Sequence, residues 1–95
     1  MVGGSNPPGV THFMYTLYIL RTNKNTLYTG ITNNIQTRLL KHRNKKGSKY
    51  LKMFESFKLV YTEELENKSD ALKREAEIKK LTKSQKEKLI AHYTF

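Results

Sequence analysis

Residues 15–31 read YTLYILRTNKNTLYTGI. Tyr15, Leu17 and Ile19 alternate with Thr16, Tyr18 and Leu20, the period-two pattern of a half-buried strand. Thr22-Asn23-Lys24-Asn25 supplies turn chemistry. Leu27-Tyr28-Thr29-Gly30-Ile31 then resumes the strand pattern, so the stretch is expected to fold as a β-hairpin. With the turn centred on Asn23, Tyr18 and Tyr28 would stand opposite each other on one face. Because side chains alternate, a slip of one residue would part them.

Working outward, Thr32 or Asn33 is expected to cap a helix over 33–45, with Ile35, Leu39 and His42 on its inward stripe and Gly47 ending it. Phe57-Lys58-Leu59-Val60-Tyr61 alternates as a third strand. Ser69 is placed to cap a helix over 70–80, with Asp70 near its positive end. Thr82 is placed to cap a last helix, with Gln85 at the capping-box position and Leu89 and Ile90 as apolar anchors. The order ββαβαα predicts a small α/β (α+β) layer: a three-stranded antiparallel sheet with flanking helices. Residues 1–13, MVGGSNPPGVTHF, hold three of the five Gly, both Pro and no charge. They are expected to be a disordered leader or a gene-start artefact, with Met14 the native start and 14–95 the folded domain.

At 95 residues the chain supports one domain and one modest core, so any active site must be built from this one sheet and its helices. The net charge of +10 is unevenly distributed: residues 1–54 carry nine basic side chains and no acid, residues 55–95 nine basic and eight acidic ones. A one-signed half is an electrostatic footprint for a polyanion. No apolar run is long enough to span a bilayer, and helix 33–45 has too narrow an apolar stripe for a membrane-surface helix, so no membrane partner is expected. There is no Cys, which removes disulfides, thiolate metal sites and a thiol nucleophile and fits a reducing compartment such as the cytoplasm. His12, His42 and His92 match no zinc-ligand spacing.

On a wheel of 70–80, at about 100° per residue, Ala71, Glu75 and Ile78 fall within roughly 60° of one another, while Lys73, Glu77 and Lys80 lie opposite. An inward carboxylate must be paired, hydrogen-bonded or metal-bound, so Glu75 needs an explanation that Glu77 does not. The structural alternative is an acid at the stripe's edge that reaches solvent or pairs with an Arg. Arg38 and His42 are one turn apart on the first helix. Arg38 offers a planar fork suited to phosphate, or is one more solvated charge; His42 is either functional or a satisfied core-edge histidine. Tyr18 and Tyr28 are either core aromatics or phenols that act as proton acceptors where positive charge lowers their pKa. Lys41, Arg43, Lys45, Lys46, Lys49 and Lys52 form an acid-free run suited to phosphate contact or to solubility.

Taken in order, these residues resemble the GIY-YIG nucleases of the small single-domain kind, and the N-terminal catalytic module of bacterial excision-repair nucleases. The first motif corresponds to Thr16-Leu17-Tyr18 and the second to Tyr28-Thr29-Gly30, with LYTGIT, RLLKH and ALKREAEIKK carrying the match over about 14–92. Thr16 stands where the family has Gly, and Thr29 where it has Ile; neither change removes a candidate catalytic side chain.

The resemblance implies an endonuclease that hydrolyses phosphodiester bonds with one divalent ion, Mg²⁺ or Mn²⁺, held by Glu75. Tyr28 would be the general base, Arg38 would stabilise charge on the phosphate, and Tyr18 and His42 would orient water or assist proton transfer. DNA is the favoured nucleic-acid partner, with RNA the other, read by structure rather than base sequence because no groove-reading element is evident. The role implied is DNA repair or recombination. The rival expectation is a non-catalytic nucleic-acid-binding module on the same fold.

Overall fold

The computed structural model describes residues 14–93; the expected leader lies outside them. Along the chain run β1 (Tyr15–Thr22), β2 (Leu27–Thr32), α1 (Ile35–Arg43), a short 3₁₀ turn (Leu51–Met53), β3 (Phe57–Leu65), α2 (Lys68–Lys79) and α3 (Lys83–Ala91). The order is the expected ββαβαα. The sheet runs β2-β1-β3, antiparallel throughout, with β1 in the centre. β1 is therefore covered on both faces and both edges, which is why Leu17, Tyr18, Ile19 and Leu20 are all buried.

The hairpin register differs from the expected one. Tyr18 pairs with Gly30, and Tyr28 with Leu20. The turn closes around Lys24 instead of Asn23, because Asn25 takes a left-handed conformation at φ 63° after the Asn25 N–H bonds the Thr22 carbonyl at 2.9 Å. This is a three-residue hairpin loop, and Asn tolerates the left-handed position better than most residues. Each partner moves by two residues, so parity is kept and the two tyrosines still share a face, as diagonal neighbours.

That face packs against α1 and the 3₁₀ turn: Tyr18, Leu20 and Leu51 form its buried centre, joined by Tyr28, Ile35, Leu39, Phe57 and Leu59. The other face carries Leu17, Ile19 and Tyr61 against Ile78 of α2 and the apolar side of α3. β3 runs to Leu65, beyond the expected Tyr61, because a bulge opposite Ile19 and Leu20 breaks the alternation while pairing with β1 continues.

Helix ends depart from expectation by local hydrogen-bond competition. Thr32 spends its hydroxyl on Asn34, accepting from the Asn34 N–H at 3.1 Å. Asn34 then becomes the cap, its Oδ1 accepting from the Thr37 N–H at 3.1 Å. α1 stops at Arg43, not at Lys45, with the Lys45 N–H on the His42 carbonyl at 3.0 Å and the Lys46 N–H on the Lys41 carbonyl at 2.9 Å. This is a Schellman closure in which Lys45, at φ 62°, takes the place usual for Gly. Gly47 consequently does not end the helix. Asn67, not Ser69, caps α2, accepting from the Asp70 N–H at 2.8 Å, and Asp70 lies in the first turn. Thr82 and Gln85 form the expected capping box of α3. α3 is tied to the hairpin by Arg21, whose guanidinium donates to both carboxylate oxygens of Glu87 at 2.7 Å.

Candidate active site

Tyr18 points from the central strand across Gly30 of the neighbouring strand. A Cβ at Gly30 would stand 2.6 Å from Tyr18 Oη and 2.7 Å from Cζ, so the second-motif glycine is what lets the ring lie there. Burial leaves Tyr18 1 % exposed. Its Oη lies 3.0 Å from His42 Nε2. His42 is 2 % exposed and is seated by a second glycine: a Cβ at Gly47 would run into His42 Nδ1 and stand 2.7 Å from Cε1. Gly47 thus matters for close approach to the histidine ring instead of for helix termination.

Tyr28 meets this pair edge-on. Its ring lies 5.6 Å from His42 at 76° and 6.3 Å from Tyr18 at 40°. It is half-buried, whereas Tyr18 and His42 are closed off, so Tyr28 is the member of the aromatic trio that meets solvent. Arg38, half-buried on α1, forms no ion pair with any described residue.

Burial raises the Tyr18 phenol well above its ordinary pKa; neighbouring Tyr28 adds to this, as does Glu75, and Arg38 opposes it. The lowering expected of a phenol beside cations is overturned for Tyr18, because desolvation outweighs the charge. Burial, and then Arg38, lowers the His42 pKa. The pair is therefore neutral at neutral pH, and His42 carries one ring proton. His42 Nδ1 is buried without a partner. A buried N–H is costlier to orphan than a lone pair, so the proton belongs on Nε2. It is donated to Tyr18 Oη, and the Tyr28 ring lies alongside, its centroid 6.3 Å from that of Tyr18.

Glu75 sits where the wheel puts it. It lies between the fully buried Ala71 and Ile78, and its side chain is 19 % exposed against 66 % for Glu77. Its ion-pair partner is Lys79 at 3.2 Å. Although α2 packs on the opposite face of the sheet, the Glu75 charge reaches Tyr18. Among the described residues no group of three or more acidic or histidine side chains could enclose a metal. One part-buried carboxylate fits a mostly hydrated hard ion such as Mg²⁺, which keeps several waters and commonly takes one or two carboxylates.

Of the basic run, Lys41, Arg43, Lys46, Lys49 and Lys52 are exposed. Lys45 is committed elsewhere: its Nζ donates to the Phe54 carbonyl at 2.5 Å and closes the loop after α1. Tyr50, not among the candidates legible in the sequence, stacks on Tyr28 with ring centroids 6.1 Å apart at 16°. The available signal was an aromatic inside a basic run.

A family model described as the GIY-YIG catalytic domain matches residues 14–88. The chain belongs to the GIY-YIG family. A UPF0213 protein of Staphylococcus epidermidis is 47% identical over 79 residues, covering 83% of this chain and 93% of that one. A UPF0213 protein of Clostridium perfringens is 47% identical over 78 residues, covering 82% and 84%. The solution NMR structure of a UPF0213 protein from Bacillus halodurans is 34% identical, covers 83% of this chain and 84% of that one, and superposes with a TM-score of 0.56. The GIY-YIG motifs thus fall on the hairpin as expected, and the glycine of the second lies under the tyrosine of the first.

Two outcomes follow from this packing. Gly30→Ala should destabilise by about 1–3 kcal/mol through overpacking, and most of that loss should vanish when Tyr18 is also changed to Leu; thermal melts of the double-mutant cycle measure it. Because the folded-state pKa of His42 lies below its unfolded value, stability should fall as pH drops below about 6.5, where the unfolded chain takes up a proton that the folded chain refuses. Denaturation midpoints across pH 7.5 to 5 should therefore decline more steeply for wild type than for His42→Gln.

Proposed function

We propose that this protein is a metal-dependent endonuclease that hydrolyses phosphodiester bonds in DNA, selecting by structure more than by base sequence, in repair or recombination. The observation that carries the reading is the buried His42–Tyr18 hydrogen bond with the half-buried Tyr28 ring packed against both partners, within the field of Arg38, which has no ion-pair partner among the described residues. Family membership supports the nuclease class.

In this reading Tyr28 acts as the phenolate, its own proton having gone to solvent: it takes a proton from the attacking water as the water oxygen bonds to phosphorus and the P–O3′ bond breaks, and the departing 3′ oxygen takes a proton from solvent. Tyr18 and His42, closed to solvent, are positioning residues. Arg38 pairs with the charge that builds on the phosphate oxygens. Glu75 would hold the divalent ion, Mg²⁺ or Mn²⁺, which would supply charge stabilisation for the phosphoryl transfer. The second reading, a non-catalytic nucleic-acid-binding module, draws on the Glu75–Lys79 pair, which would leave Glu75 a structural acid.

Incubation with nicked, branched and single-stranded DNA, with Mg²⁺ or with EDTA, separates the two. Cleavage should require the metal. It should fall by roughly 10²–10³ in Arg38→Ala and be lost in Tyr28→Phe and Glu75→Gln while binding persists. Binding without cleavage on every substrate would defeat the nuclease reading. The exposed run should make affinity steeply salt-dependent, and Lys46→Gln should reduce the logarithmic salt slope by about one. Lys45→Gln should leave that slope unchanged and lower the melting temperature instead, since its ammonium closes a loop.

A further inference from the structure

Tyr28 also forms one wall of a cleft of about 380 Å³, lined with it by Leu27, Thr29, Tyr50, Lys79 and Lys86. That volume lies within the range of about 300–1,000 Å³ typical of small-ligand sites. The nuclease reading uses Tyr28 and gives no task to Tyr50 or Lys86.

Tyr50 is 40 % exposed yet firmly held. Its hydroxyl donates to Thr26 Oγ1 at 3.1 Å, and its ring centroid is 6.1 Å from that of Tyr28 and 5.1 Å from that of Phe54. A fixed, solvent-facing aromatic costs little further entropy to stack upon. Two ammonium groups from two helices complete the lining. Lys79 is engaged by Glu75. Lys86 is half-buried and has no carboxylate partner among the described residues, an arrangement that an incoming anion would relieve. Thr29, only 5 % exposed, closes the floor of the cleft with its Oγ1 buried.

A fixed aromatic and an ammonium without a carboxylate partner among the described residues, lining one cleft with the candidate general base, match the chemistry of one nucleotide: a π-face and an anion. We propose that the cleft is a nucleotide subsite. In it the base flanking the scissile phosphodiester stacks on Tyr50, and Lys86 takes that nucleotide's outer phosphate. The scissile position rests on the nuclease reading; the nucleotide site does not.

Kinetics and binding test it together. Tyr50→Leu should raise KM by roughly 5- to 100-fold, the range expected for losing a base–aromatic stack, and should raise KM more than it lowers kcat. Tyr50→Phe, which keeps the ring but not the bond to Thr26, should restore KM. Lys86→Gln should raise KM and reduce the salt slope by about one. An abasic nucleotide scanned through the substrate should harm wild type at one position beside the cleaved bond and have no added effect in Tyr50→Leu. In NMR titrations dAMP should shift the Tyr50 ring and Thr29 amide signals of the full chain, inorganic phosphate alone should shift them less, and Lys86→Gln should weaken both. Unchanged KM in both variants on a substrate that wild type cleaves, with no dAMP shifts in the cleft, would overturn the subsite and leave the nuclease reading standing. Cleft-localised dAMP shifts in a protein that cleaves nothing would support the nucleotide site and overturn its place beside a scissile bond.

Discussion

The site depends on one steric fact: Tyr18 lies across Gly30 with no room for a single carbon between them. An aromatic on a central strand would ordinarily end within the core. Here the missing side chain on the neighbouring strand lets the ring extend over the sheet until its oxygen reaches His42. That contact orders the rest. The hydrogen bond fixes the imidazole, the imidazole meets Tyr28 edge-on, and the neutral state of both buried groups follows from their distance from water. Gly47 serves the same end from the far side of the histidine ring. Both glycines are therefore needed for what their absent Cβ atoms leave open, one beneath each buried partner of Tyr28.

A second constraint is that the charges come from different layers. Arg38 stands on α1, which covers the tyrosine face of the sheet, and Glu75 on α2, which covers the other. Their relative placement is set by the sheet between them. It is also set by the anchors of the α2–α3 layer: the Arg21 fork on Glu87, the Arg74 bond to Glu63 at 2.8 Å, and the Tyr61–Tyr93 ring contact at 4.9 Å. None of these touches the site, yet each fixes the layer that carries Glu75. A cationic group and an anionic group on separate layers need not neutralise each other in the free protein. That leaves Arg38 without an ion-pair partner among the described residues.

What the sequence made legible were features governed by periodicity. Strand alternation put Tyr18 and Tyr28 on one face even though the turn moved to Lys24, because the shift preserved parity. Helical periodicity put Glu75 between Ala71 and Ile78 and buried His42. What it left hidden were choices between chemically equivalent neighbours. Thr32, Asn33 and Asn34 can each cap a helix, and the outcome turned on Thr32 bonding Asn34 first. Lys45 reads as a phosphate ligand like its neighbours until the chain reversal brings it to the Phe54 carbonyl. Tyr50 gains its meaning from a stack with a residue 22 positions earlier, a contact that no local window contains.

The two departures from the family motif fit the same geometry. Thr16, in place of the first glycine, lies in line with Tyr18 on the tyrosine face but spends its hydroxyl on Glu64 across the sheet, at 2.9 Å. It therefore adds a cross-strand bond and leaves the Tyr18 cradle untouched. Thr29, in place of the isoleucine, alternates to the opposite face, where it is buried and its hydroxyl is unsatisfied. A β-branched residue keeps the strand, and the oxygen carries a desolvation cost that an apolar side chain would not.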